Sequence, residues 1–400
     1  MNVLLRAATA LAATAWCLAA GAADASTASA ASAAIASARC AAPVADRAAN
    51  HVCAVALAMH AESERKAGRN DAALAAFARA DEFSPEDLRF QMARASLKLK
   101  LANQLTPAGI DAASRAAPDD PGLALLHAEL SLAKKDYATG TSDLDRVIAK
   151  RPAATMAWEM RATANVARPD FDAARGDVDQ ALRLEPKSPA SLRLRGILRN
   201  NSGDYAGALA DYKAAHAIAP RAEDPFVIGS TQFLQRQFDA AADSMARRAP
   251  AAPDGTYWRL WRYMALARLT GIERASGSLG PGAAPGQAAP WPVPVVDFFQ
   301  ANIDAATLLD IAKKSQDARD LSQVCEAHFY MAEDALLRQR SDAVALFRKT
   351  VEECPKNFHE YEGAVAELRA AGLPLAAPGP TLAAAAASAP APAASAASAP

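Results

Sequence analysis

The sequence predicts an all-α solenoid of stacked helix pairs, on three observations. Prolines recur at Pro85, Pro118, Pro152, Pro186 and Pro220, a near-constant interval of about 34 residues that marks one supersecondary unit repeated along an array. Small residues keep the same register: Ala61, Ala128, Ala162 and Gly196 stand 24 positions before a proline, and Ala73, Ala174 and Ala208 stand 12 before one. Small side chains are wanted where two antiparallel helices cross closely. Finally, "AGRNDAALAAFARADEFSP", "PDFDAARGDVDQALRLEP" and "SGDYAGALADYKAAHAIAP" each read as a turn followed by the second helix of a pair.

These residues resemble the tetratricopeptide repeat, whose small, aromatic and proline positions they match over units of roughly 34 residues. Five units run from Ala54 to about Arg221, and a sixth passes through Gly229, Phe238, Ala241 and Pro253. A seventh starts at "TYWRLWRYMALARLTG" and decays. The second and third copies depart most, with Thr106 and Gly140 where alanine is usual. The resemblance implies a tetratricopeptide-repeat superhelix, ended by a C-terminal repeat and a capping helix. In such arrays the first helix of each pair lines a concave groove. The register places Glu62, Arg65, Gln91, Lys98, Glu129, Glu159, Thr163, Arg193, Ile197, Asn200, Phe226 and Phe233 there. Polar side chains such as Asn200 would bond an extended peptide backbone, while Leu125, Ile197 and Phe233 would receive apolar side chains. Each of these positions reads equally well as plain solvated surface, and the mixture of charge signs leaves the ligand's charge open. Phe77, Trp158, Tyr212 and Phe347 read as packing between repeats. The run Tyr257, Trp258, Trp261, Tyr263 reads as core at the end of the array, with an aromatic partner patch as the alternative.

The ends set the compartment. Arg6, the apolar "AATALAATAWCLAA" and the small residues of "AGAADA" read as an export signal over residues 1–25, with the mature chain starting near Ser26. Cys17 follows Trp16, and no cysteine follows the small residues at the expected cut, so no lipid anchor is evident. A periplasmic location is expected. Residues 26–43 form an Ala/Ser-rich extension, and residues 374–400 an Ala/Pro/Ser tail whose composition cannot offset the entropy of ordering. Between them, residues 44–275 carry the tandem array, 276–294 a Gly/Pro-rich connector, and 295–373 a helical segment with a final repeat and its cap. The formal net charge of −1, with both signs interspersed, argues against nucleic acid or an anionic membrane as the main partner.

In the C-terminal third, Trp291 is followed by "VVDFFQANIDAATLLDIA", "EAHFYMAEDALL", "DAVALFRKTVEECP" and "NFHEYEGAVAELRAAG". The aromatic step Phe329-Tyr330-Met331, the stretch from Ala343 to Phe347, and Asn357-Phe358-His359-Glu360 leading into a last helix resemble the NlpI-type periplasmic tetratricopeptide proteins. That resemblance implies a homodimeric adaptor that brings a processing protease and cell-wall hydrolases together. An alternative function is a fixed structural subunit of an outer-membrane or secretion assembly.

Without Cys17 the chain keeps Cys40, Cys53, Cys325 and Cys354, an even number in an oxidising compartment. Cys325 begins the first helix of the final repeat and Cys354 follows its second, so an antiparallel pair brings them together. Cys40 and Cys53 bracket "AAPVADRAANHV" and would clip the extension to the first helix. Each closed loop would contribute about 3 kcal/mol by chain entropy. The competing reading is zinc on Cys325, His328, Cys354 and His359, although the spacing across the pair is long for a common finger. His51 and His60 read as helix surface. No P-loop, HExxH or GxSxG is present, so the sequence points to a protein- or peptide-binding module without cofactor, metal or catalytic residues.

Overall fold

The computed structural model describes residues 40–247, 255–283, 289–314 and 322–375. The expected signal segment, most of the extension and the tail from residue 376 lie outside the described residues. Within them the chain is all-α, an α-solenoid of successive antiparallel helix pairs with no strand. The pairs are α1 (Arg47–Lys66) with α2 (Asn70–Phe83) and α5 (Pro121–Ala133) with α6 (Tyr137–Lys150); between them, α3 (Leu88–Leu101) and α4 (Pro107–Ala116) each pack on α5. Next come α7 (Thr155–Ala167) with α8 (Phe171–Leu184), α9 (Pro189–Ser202) with α10 (Tyr205–Ile218), and α11 (Asp224–Leu234), followed by α12 (Phe238–Ala246).

Each boundary has a local cause that recurs with the period. Asp136, Asp170 and Asp204, each one repeat after the last, cap α6, α8 and α10 by accepting a hydrogen bond from a first-turn amide, that of Thr139, Ala173 and Gly207 respectively. Asp120 and Ser188 do the same for α5 and α9, each followed by a proline whose fixed φ suits the first turn. Gly203 ends α9 in the left-handed region at φ 90°, where a Cβ would be strained. The small residues act as expected. Ala61, Ala73, Ala128, Ala162, Ala174 and Ala208 are fully buried. At Gly196 a Cβ would lie 2.6 Å from the Tyr212 ring, so the α9–α10 crossing excludes even alanine without a shift.

A second periodic device holds the two helices of a pair together. Asp143, Asp177 and Asp211 are buried on α6, α8 and α10. Each faces a cation or histidine on the helix before it: His127 at 2.5 Å, Arg161 at 2.6 Å and Arg195 at 2.7 Å. These pairs fix the register of one helix against the other, and they give each buried carboxylate a strong donor.

Two compact units emerge, the described residues up to Gln235 with Arg247, and those of Arg236–Ala246 and from Gly255 onward. The expected boundary at 276 therefore falls inside the second unit. The reason is α13 (Gly255–Thr270), whose Trp258, Leu260, Trp261, Tyr263 and Met264 are buried. Trp261 stacks on Phe329 at 5.5 Å between centroids, and Tyr263 meets Phe299 at 4.9 Å. These rings join α13 to α15 (Val293–Phe299) and α17 (Ser322–Leu337). Burying each such ring contributes about 1.5–3 kcal/mol, which outweighs the chain break in the connector. The connector itself begins with α14 (Ile272–Ala275) and a short 3-10 turn (Ser276–Ser278), with Leu279 fully buried after it. The unit is completed by α16 (Ala305–Lys314), α18 (Ala343–Glu353) and the capping helix α19 (His359–Ala370).

Both cysteine pairs are joined. Cys40 and Cys53 lie 5.5 Å apart at Cα, and Cys325 and Cys354 lie 5.1 Å apart. Arg79 of α2 also donates to the Cys40 and Ala41 carbonyls, so the clip is held from two sides. Non-reducing peptide mapping is expected to recover both pairs. Reduction is expected to destabilise the chain by about 3 kcal/mol per loop, and a thermal midpoint unmoved by dithiothreitol would count against it.

Candidate partner-binding face

The face expected to bind is formed by the first helices, of which α3, α5, α7 and α9 pack in succession. The structure separates the predicted residues by depth. Phe226 and Phe233 are each 2% exposed and belong to the packing of α11. They receive no ligand side chain, a correction that follows from α11 being buried on nearly every side. Gln91 is also buried, with its amide donating to the Pro85 carbonyl at 3.2 Å. Asn200 is 2% exposed and donates to the Thr231 hydroxyl at 3.0 Å, so it ties α9 to α11 and is not presented to a peptide backbone.

Arg193 is likewise engaged. Its guanidinium grips Asp224 through two bonds, at 2.9 and 2.8 Å, and donates to the Ala219 carbonyl at 2.5 Å. Burial works against the charged form of Asp224. Donation from Arg193, His216 and the Arg221 amide nevertheless holds its carboxyl below the usual range. Arg193 is thus an inter-repeat clamp. Glu159 accepts from the hydroxyls of Ser188 at 2.5 Å and Ser191 at 2.6 Å, and burial raises its pKa against those bonds. Ile197 is half-buried between two apolar clusters.

Lys98, Glu129 and Thr163 remain on the face. Lys98 and Thr163 are exposed, while Glu129 is half-buried and pushed up to about 7 by desolvation. Glu62 and Arg65 pair with each other at 2.7 Å. The sequence register carries the angular position of all these residues, but not whether a neighbouring helix covers them.

The second unit carries charges that sequence reasoning missed. Glu326, Glu333, Asp334 and His328 are buried on α17, although three of the four are ordinarily surface residues. Glu326 accepts from the Tyr257 hydroxyl at 2.8 Å and from the Trp291 indole at 2.6 Å. Glu333 pairs with Arg268 at 2.8 Å, and Arg268 reaches Glu367 at 3.1 Å. Burial pushes both Glu326 and Glu333 up to about 7. His328 pairs with Glu353 at 2.6 Å and His359 with Glu362 at 3.4 Å. With Cys325 and Cys354 joined to each other, the four candidate zinc ligands are all otherwise engaged. Trp258 and Trp261 are buried at 3% and 1% exposure, which makes them packing residues and not a partner patch. Among the described residues no group of three or more His, Cys, Asp or Glu side chains is placed to hold a metal ion, and no helix is long and apolar enough to cross a membrane.

Residues 160–230 match the tetratricopeptide repeat family. No curated protein matches the chain. Among solved structures the chain is similar to a thermophilic TPR protein of Thermus thermophilus, at 18% identity over 53% of this chain and 98% of that one, with a TM-score of 0.34. It is similar to pilF of Pseudomonas aeruginosa at 14% identity, over 52% of this chain and 96% of that one, with a TM-score of 0.38. Yeast Tom70 aligns at 14% identity over 77% of this chain and 59% of its own, with a TM-score of 0.36.

Proposed function

We propose that the chain is a non-enzymatic scaffold of the periplasm that binds protein partners, acting as an adaptor for envelope proteases or peptidoglycan hydrolases. The observation that carries the binding reading is the first-helix face of the repeats. Internal pairing there engages Arg193, Glu159 and the Asn200 amide nitrogen, yet it leaves Lys98 and Thr163 exposed and Glu129 half-open. A face of stacked helices with spare polar groups suits an extended segment of another protein. The choice of envelope enzymes as partners rests on the resemblance of the C-terminal third to NlpI-type adaptors, and the periplasm on the export-like leader.

Affinity capture from periplasmic extract, read by mass spectrometry, is expected to recover a protease or cell-wall hydrolase with a chain whose N-terminus lies near Ser26. The purified chain alone is expected to leave peptidoglycan and casein intact. Turnover by the pure chain would sink the adaptor reading, and retention of the chain in the cytoplasm would sink its location.

A further inference from the structure

Internal pairing leaves one carboxylate of the first-helix face without a partner. Glu62 meets Arg65, Glu64 meets Arg69, Glu159 accepts from two serines, and Asp224 accepts from Arg193 and His216. Glu129 of α5 receives no hydrogen bond or ion pair among the described residues, and its only perturbation is loss of water, which lifts it to about 7. A carboxylate drawn partly out of water with no donor is unfavourable in the free protein, and a cation that reaches it relieves the cost.

The neighbouring positions do not supply that cation. One period back on α3 stands Ala95, and one period on along α7 stands Thr163, whose hydroxyl is turned to the Glu159 carbonyl at 2.8 Å. Lys98, one turn beyond Ala95 on α3, is exposed. Its charge opposes a run of basic residues while tolerating a single one at the next helix.

We infer that the α3–α5–α7 face takes an extended, otherwise weakly charged peptide segment that sets one lysine or arginine side chain on Glu129. This rests on the peptide-binding reading above and adds the chemistry of the recognised residue. The new contact is a charge-assisted hydrogen bond made in a partly dry setting, where it is stronger than at an open surface.

A displayed library of random dodecapeptides, selected against the immobilised full chain, tests it. Glu129→Gln and Glu129→Lys variants, each checked for helical content by circular dichroism, are selected in parallel. The wild type is expected to enrich peptides with a basic residue at one fixed position. Glu129→Gln is expected to lose that preference, with the best wild-type peptide bound about tenfold more weakly. Glu129→Lys is expected to select aspartate or glutamate at the same position. Enrichment by the wild type without a basic position, or a basic preference undiminished in Glu129→Gln, would overturn the inference alone. If no chain enriches any peptide, the peptide-binding reading fails and this one with it.

Discussion

An Asp224→Ala chain is expected to lose about 3–5 kcal/mol of stability, because it strands the Arg193 guanidinium, whose side chain is 11% exposed, without its counter-charge. Asp224 accepts two bonds from Arg193, one from His216 at 2.9 Å and one from the Arg221 amide at 2.8 Å. All four bonds are lost at once, and Arg193 keeps only its neutral carbonyl acceptors. Urea denaturation of the full chain measures the loss, and hydrogen exchange over residues 189–234 localises it. Arg193→Met added to Asp224→Ala is expected to recover part of it, since an apolar side chain asks for no partner. A single variant within about 1 kcal/mol of the wild type would show that the clamp is merely surface. The same argument makes Arg193 and Asn200 poor sites for probing partner binding, as their loss weakens the fold first.

The second unit is expected to be more stable at pH 5.5 than at pH 8, the reverse of the usual carboxylate effect. Burial raises Glu326 and Glu333 from about 4.5 to about 7, so the folded state holds protons that the unfolded chain has already released. Their contribution is complete below the unfolded pKa and is lost as pH rises through 7. His359, raised by Glu362 against its burial, adds in the same direction. His328, lowered by burial against Glu353, opposes them, since its neutral form is favoured and its contribution is lost as pH falls. With two carboxyls and His359 set against His328 alone, a net difference on the order of 2 kcal/mol is expected. Thermal melts across that range measure it. Glu326→Gln keeps an acceptor for Tyr257 and Trp291 and carries no charge, so it is expected to raise the midpoint at pH 8 and flatten the profile. A midpoint that climbs steadily from pH 5.5 to 8 would refute this account.

The repeat architecture was written in the sequence because helix pairs closing on a fixed period need small residues, caps and prolines at fixed places, and each is a one-letter signal. The disulfides were legible for the same reason, since parity and helix-end positions are properties of the chain. Sequence reasoning passed over Asp143, Asp177 and Asp211, although they recur once per repeat with a cation or histidine at a constant offset before each, because nothing in the sequence marks them as buried. Tertiary structure decided depth. Phe226, Gln91 and Asn200 have the register of a binding face, yet all three are buried, Gln91 against the Pro85 carbonyl and Asn200 against Thr231, while Glu129 has the same register and is left half-open without a partner among the described residues. It also decided the fate of α17, whose glutamates look like solvated surface in sequence but are enclosed by α13, α15 and α19. Periodicity along a chain fixes the direction in which a side chain leaves its helix. What it meets there is set by helices distant in sequence, whose packing no local pattern records.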